Sequence, residues 1–243
     1  MRRRRGKRIW GAIAILALAA MAALVAQSYI FVVREVYVMG DGDYVAEDVI
    51  RTARIRIGGS IFNVDGEAAA ARVNATGRLC LEDMEIRYPS TLILHVRERQ
   101  PAAMTIYMSK LRILDAEGFV IEEREDAPDR DLLYINGLEI LDARIGEPLR
   151  AASGQMDAYR TVVGEVLAQG AGGYISEIDL GDCADIRVMS RTGVEVKLGD
   201  EARMADKIAW MRSALADLQH RGEGGGALDV SSGTKADYSR AGA

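Results

Sequence analysis

Apolar positions recur along this chain in three rhythms. The first is continuous. Ile9 to Val33 contains no charged residue, and Ile9–Ala26 is an unbroken run of apolar or small side chains. At about 1.5 Å per helical residue such a run spans roughly 27 Å, close to the hydrocarbon thickness of a bilayer. The pattern predicts one transmembrane helix over 9–33, with Trp10 at one interface and Tyr29, Ile30 and Phe31 at the other. A cleaved signal peptide competes with it, because Ala17-Leu-Ala19 and Ala20-Met-Ala22 fit a small-x-small cleavage pattern. The apolar run continues past a typical signal core with no helix breaker, which favours an uncleaved anchor.

The other two rhythms, with periods of about 3.6 and of 2, alternate through the rest of the chain. Val36–Gly40 reads as a strand. Tyr44–Ala53 reads as a short helix with Val45, Val49 and Ile50 on one face. Gly58-Gly59 breaks the chain, and Asp65 is placed to cap a second helix over Gly66–Ala75. Met84, Ile86 and Tyr88 then alternate against Glu85 and Arg87, Pro89-Ser90 turns the chain, and Leu92, Leu94 and Val96 alternate again. The order β-α-α-β-β over 34–101 predicts two helices on a three-stranded sheet.

Residues 102–243 predict a second, β-rich domain with two covering helices, which makes the fold class α+β. A hairpin joins 111–114 to 119–121, and strands are expected at 132–135, 175–180, 186–189 and 194–198. One helix is expected over 151–169, capped near Ser153, with Met156, Tyr159, Val163, Val166 and Leu167 as its apolar stripe. The second runs over 201–219, with Met204, Ile208, Met211, Leu215 and Leu218 spaced four, three, four and three apart. This stripe suits either the adjacent sheet or a coiled-coil partner, and the need of the strands for a covering layer favours the sheet. Gly222–Gly226 is glycine-rich but lacks the Gly-Lys-Ser/Thr ending of a phosphate loop.

Charge adds a direction. Six of the 31 basic residues lie in the first eight positions, leaving 25 against 36 acidic ones in the remainder. A basic head before an apolar run is retained in the cytoplasm, so 1–8 is a cytoplasmic tail and the bulk lies outside the membrane. A nucleic-acid arm is the weaker reading of the same arginines. The two cysteines, Cys80 and Cys183, are too few for a disulfide framework and read as separate thiols. His95 and His220 have no Cys or His at ligand spacing, so neither a metal nor a cofactor is expected. The chain has no Gly-x-Ser-x-Gly, His-Glu-x-x-His or Cys-x-x-Cys, and its acidic pairs, Glu122-Glu123 and Asp182/Asp185, are expected by chance among so many carboxylates. Binding is therefore expected rather than catalysis.

In order, Val36-x-Val-x-Gly40, Val49-Ile50, Gly59-Ser-Ile-Phe-Asn-Val-Asp65, Ile86-Arg-Tyr-Pro-Ser-Thr-Leu-Ile-Leu-His-Val96 and Glu98-Arg99-x-Pro101 resemble a POTRA domain, in particular that of the FtsQ/DivIB family of bacterial cell-division proteins. The 111–121 hairpin, Leu228-Asp-Val230 and Ser232–Tyr238 resemble segments of the β domain of that family. One departure is Ala46, where the family often has a serine helix cap. The resemblance implies a scaffold of the divisome that binds FtsB/DivIC- and FtsL-like partners at the membrane and the septum. It implies contact through the C-terminal sheet edge at Ser232, Gly233, Lys235, Ala236 and Tyr238, with Tyr238 as anchor. A Tyr238 that merely closes the core is the alternative. A POTRA-type chaperone module for envelope polypeptides is the alternative function, although such modules usually come as several repeats or with a barrel.

Overall fold

A computed structural model describes residues 13, 15–19, 21, 25, 29–128 and 131–240. The predicted 9–33 helix lies in large part outside the described residues. Its described positions from Ile13 to Ile30 are helical, with Ile15, Leu16, Leu18 and Met21 exposed. Among the described residues no helix is long and apolar enough to cross a membrane.

The chain divides into two compact units, one of Met1–Asn74 with Leu79–Glu98, the other of Ala75–Arg78 with Arg99–Ala243. The smaller unit runs β1 (Glu35–Met39), α1 (Ala46–Ala53), a single 3-10 turn (Ile61–Asn63), α2 (Gly66–Asn74), β2 (Leu79–Arg87) and β3 (Thr91–Glu98). Its sheet order is β1-β3-β2, with β1 parallel and β2 antiparallel to β3. Leu94 and Val96 of β3 pack with Val49 and Ala53 of α1 and Ala69 and Val73 of α2. The Asp65 carboxylate accepts the Ala68 N–H at 3.0 Å, the cap the sequence predicts.

The start of α1 differs from expectation. The helix begins at Ala46, Val45 occupies its N-cap without a side-chain cap bond, and Val45 is exposed instead of joining Val49 on the buried face. Ahead of it, Gly40 has φ +141°, and a Cβ there would lie 1.7 Å from the Val96 carbonyl oxygen. Glycine is therefore required where β1 leaves the sheet.

The larger unit is built on a nine-stranded mixed sheet ordered β14-β13-β12-β11-β10-β7-β4-β5-β6. Its strands are β4 (Ala103–Tyr107), β5 (Lys110–Leu114), β6 (Val120–Arg124), β7 (Leu133–Asn136), β10 (Ile175–Asp179), β11 (Ile186–Ser190), β12 (Glu195–Gly199), β13 (Ala227–Asp229) and β14 (Asp237–Ser239). A separate two-stranded ladder joins β8 (Ile140–Asp142) to β9 (Arg150–Ala151). Helices α3 (Gln155–Ala168) and α4 (Met204–His220) share one continuous core with the sheet.

All five residues of the predicted α4 stripe are buried in that core, so the sheet is their covering layer. Lys207 is buried among them at 2 % exposure, its Nζ held by the carbonyl and the carboxylate of Asp200, both at 2.8 Å. Helix α3 starts four residues later than predicted. Gly154 (φ +85°) forms its N-cap with no side-chain cap bond, so Ser153 does not cap it. Leu167 is exposed, and Ala158 and Val162 take its place in the stripe.

The first turn of this unit is held by a buried ion pair. Arg99 Nη1 donates to Asp115 Oδ2, and each side chain is 2 % exposed. Asp115 Oδ1 accepts the Phe119 N–H at 2.7 Å, and the Arg99 guanidinium lies 3.8 Å from the Phe119 ring centroid. The Tyr159 hydroxyl donates to the Asp115 carbonyl at 2.7 Å, and burial raises its pKa well above the usual phenol value.

Candidate partner-binding edge

Strand β14 is an outer edge of the nine-stranded sheet, so one alternating set of its backbone N–H and C=O groups points away from β13. Residues 230–236 lead into it. The Gly233 N–H bonds the Val230 carbonyl at 2.9 Å, with Gly233 at φ +65°. Asp229 Oδ1 accepts both the N–H and the hydroxyl of Ser231, at 2.8 and 2.7 Å.

Arg203 clamps this turn to α4. It stands left-handed (φ +57°) at the helix N-cap, donates from Nη2 to the Gly233 carbonyl at 2.9 Å and from Nη1 to that of Ser232 at 3.4 Å, and holds Asp206 on its other edge. Farther along, the Tyr238 hydroxyl donates to the Gly225 carbonyl at 2.9 Å, and Arg240 pairs with Glu223 at 2.8 Å. The edge is thus short but pinned at both ends, an arrangement that lowers the ordering cost for an added strand.

The five sequence-derived residues occupy this one stretch but present different surfaces. Ser232 and Lys235 are exposed, and Lys235 Nζ pairs with Asp237 at 2.6 Å. Gly233 is buried, its carbonyl is taken by Arg203, and a Cβ would touch Arg203 and Lys207 at 3.4–3.5 Å. Ala236 and Tyr238 are half-buried against the core. The register pairs Tyr238 with Leu228 and Leu228 with Val196, both buried, so the Tyr238 ring lies on the helix-covered side of the sheet.

Asp237 and Ser239, which the sequence argument passed over, lie on the opposite side. There they line a shallow groove of about 380 Å³ with Arg187, Glu195, Lys197 and Asp229. The period-2 alternation about Tyr238 signals both residues once the strand is known. The Arg203 clamp leaves no sequence signal.

Two carboxylates near this groove, Asp229 and Asp185, titrate low. The Ser231 hydroxyl bond holds Asp229 below its ordinary 3.8, and the Arg187 guanidinium does the same to Asp185. Groups with depressed folded pKa values stabilise the fold above the unfolded value, and that contribution is lost as pH falls through the folded one. Melting temperature is therefore expected to drop as pH falls from about 5 to below 3. The Asp229→Asn variant should show a shallower acid-side slope than the parent, and identical slopes would contradict this assignment.

Among the described residues no three His, Cys, Asp or Glu side chains stand together as a metal site. Cys80 and Cys183 are free thiols, and burial pushes the Cys183 thiol up.

Residues 105–231 match the family described as "Cell division protein FtsQ/DivIB, C-terminal", a stretch that runs from within β4 through β13. The chain belongs to the FtsQ/DivIB family of cell division proteins. It is 23 % identical over 181 residues to the cell division protein DivIB of Clostridium botulinum, covering 73 % of this chain and 70 % of that one. It is 28 % identical over 110 residues to the cell division protein FtsQ of Mycolicibacterium smegmatis, covering 45 % and 33 %. A solved structure of the major extracytoplasmic domain of the trans isomer of DivIB from Geobacillus stearothermophilus aligns at 21 % identity and TM-score 0.34, covering 49 % of this chain and 95 % of that one. The family match ends at residue 231, just before the candidate stretch that begins at Ser232.

Proposed function

We propose that this chain is a non-enzymatic, single-pass scaffold of the division complex. Residues 9–33 anchor it, 1–8 stay in the cytoplasm, and the bulk works outside the membrane at the septum. The 34–101 domain is of POTRA type, and the β domain over 102–243 holds small coiled-coil partners of the FtsB/DivIC and FtsL kind. The division role rests on the match of residues 105–231 to the FtsQ/DivIB C-terminal family. Support for the anchor comes from the exposed apolar side chains on the described helical positions between Ile13 and Ile30. Support for strand addition comes from the β14 edge, where main-chain bonds supply affinity and alternate side chains supply specificity.

The test is depletion of the chain together with a pull-down of the tagged full-length protein from its own membranes. A mid-cell band, filamentous cells on depletion and co-purified single-pass coiled-coil division proteins are expected. A uniform membrane signal with normal division would overturn the reading.

A further inference from the structure

Phe31 leaves the apolar segment and enters an aromatic cluster in the smaller unit. Its ring centroid is 5.3 Å from that of Phe62 and 6.1 Å from that of Tyr88, and Phe62 and Tyr88 are 5.8 Å apart. Such clusters are normally buried, yet Phe62 is 49 % and Tyr88 60 % exposed, with Ile57 beside Gly58 at 62 %.

The cluster is tied to the exit of the apolar segment by the backbone. The Val33 N–H bonds the Gly59 carbonyl at 2.9 Å, the Gly58 N–H bonds the Val33 carbonyl at 2.7 Å, and the Ile61 N–H bonds the Phe31 carbonyl at 3.0 Å. Val32 and Ser60 complete the arrangement as an antiparallel bridge. The loop 56–62 is therefore held within one strand spacing of the segment where it leaves its apolar run.

Charge gathers beside this loop. Arg54, Arg56 and Arg72 line a cavity of about 410 Å³ together with Gly59, Ser60 and Asn63. Arg72 donates to the Ala53 carbonyl at 3.1 Å, and Asp65, also on the wall, is the cap of α2. Among the described residues no ion pair engages Arg54 or Arg56, and both are exposed. Three guanidinium groups against one carboxylate, beside exposed aromatic rings, make the combination that binds an anionic interface.

We propose that this face of the smaller unit sits on the outer surface of the bilayer that anchors the chain. Phe62, Tyr88 and Ile57 enter the headgroup and acyl boundary, and Arg54 and Arg56 engage the phosphates of anionic lipids. The inference rests on the single-pass anchor proposed above. Its consequence is that the unit is oriented at the membrane rather than tumbling on a tether.

The test uses the full chain in vesicles of phosphatidylglycerol and phosphatidylcholine, with Cys80 and Cys183 replaced by serine. A single cysteine carrying a polarity-sensitive fluorophore is placed at Phe62, at Leu16 or at Glu82, and quenching by spin-labelled lipids is read at each. Glu82 lies on β2, six residues before Tyr88 and roughly 20 Å from it at about 3.3 Å per extended residue. The expected result is strong quenching at 16 by deep labels, clear quenching at 62 by shallow labels and none at 82. In Arg54→Gln and Arg56→Gln variants the ratio of docked to undocked unit should fall roughly fivefold for each charge removed. Quenching at 16 without quenching at 62 overturns the inference and leaves the anchor standing. No quenching at either position overturns both. Quenching at 62 that is the same in purely phosphatidylcholine vesicles overturns the assignment to anionic lipid.

Discussion

Replacing Asp115 with alanine is expected to destabilise the larger unit by about 3–5 kcal/mol, because it leaves a buried arginine without its counter-charge. Arg99 and Asp115 are each 2 % exposed, and the guanidinium stacks on Phe119, so it cannot swing into water without vacating packed space. The Asp115 carboxylate also satisfies the Phe119 N–H, so truncation orphans a buried donor as well as a charge. The double variant Arg99→Met with Asp115→Asn separates these costs. Methionine fills the arginine volume without a charge, and asparagine still accepts the Phe119 N–H. The double variant should therefore be markedly more stable than Asp115→Ala alone. Urea midpoints with unchanged slopes are the measurement. A single variant within about 1 kcal/mol of the parent would mean that water reaches the pair.

That pair also marks where sequence reasoning stops. Arg99 reads as part of a polar stop before Pro101, and Asp115 as a hairpin turn residue. Nothing in a one-dimensional pattern joins two residues 16 apart across a turn. Strand β4 was missed for a different reason. Ala103 and Thr105 face the core while Ile106 is exposed, so its alternation is inverted relative to hydrophobicity. Lys207 carries no burial signal in the sequence, yet it is buried, with Asp200 supplying both its acceptors. By contrast, the five-residue α4 stripe and the Asp65 cap were legible, since each depends on spacings within one helix. Helix starts were less so. Those of α3 and α4 are set by left-handed residues, Gly154 and Arg203, and for Arg203 the conformation is stabilised by contacts to a turn 30 residues away. The strand at 237–239 was legible as a segment but not as a surface, because which side of the sheet Tyr238 faces depends on its register with Leu228.

Tyr238→Ala is the second change with a large expected effect, this time on partner binding. A buried aromatic anchor at the centre of an interface contributes at least about 2 kcal/mol, so on the function proposed above affinity for small coiled-coil partners should fall roughly 30-fold or more. The position of the ring makes a stability control necessary. It is half-buried on the helix-covered side and its hydroxyl bonds the Gly225 carbonyl, so its loss also loosens the edge. Leu228→Ala supplies the comparison. Leu228 is paired directly with Tyr238, is 2 % exposed, and should cost about 2–5 kcal/mol as a core cavity. Tyr238→Phe removes only the hydroxyl bond and should keep most of the affinity, with a stability loss near 1 kcal/mol. The anchor role requires that Tyr238→Ala lower affinity more than Leu228→Ala does while lowering the melting temperature less. If the two variants lose affinity in proportion to their loss of stability, Tyr238 is a core-closing residue. Recognition would then fall to the exposed side of the same strand, where Asp237 and Ser239 meet the groove.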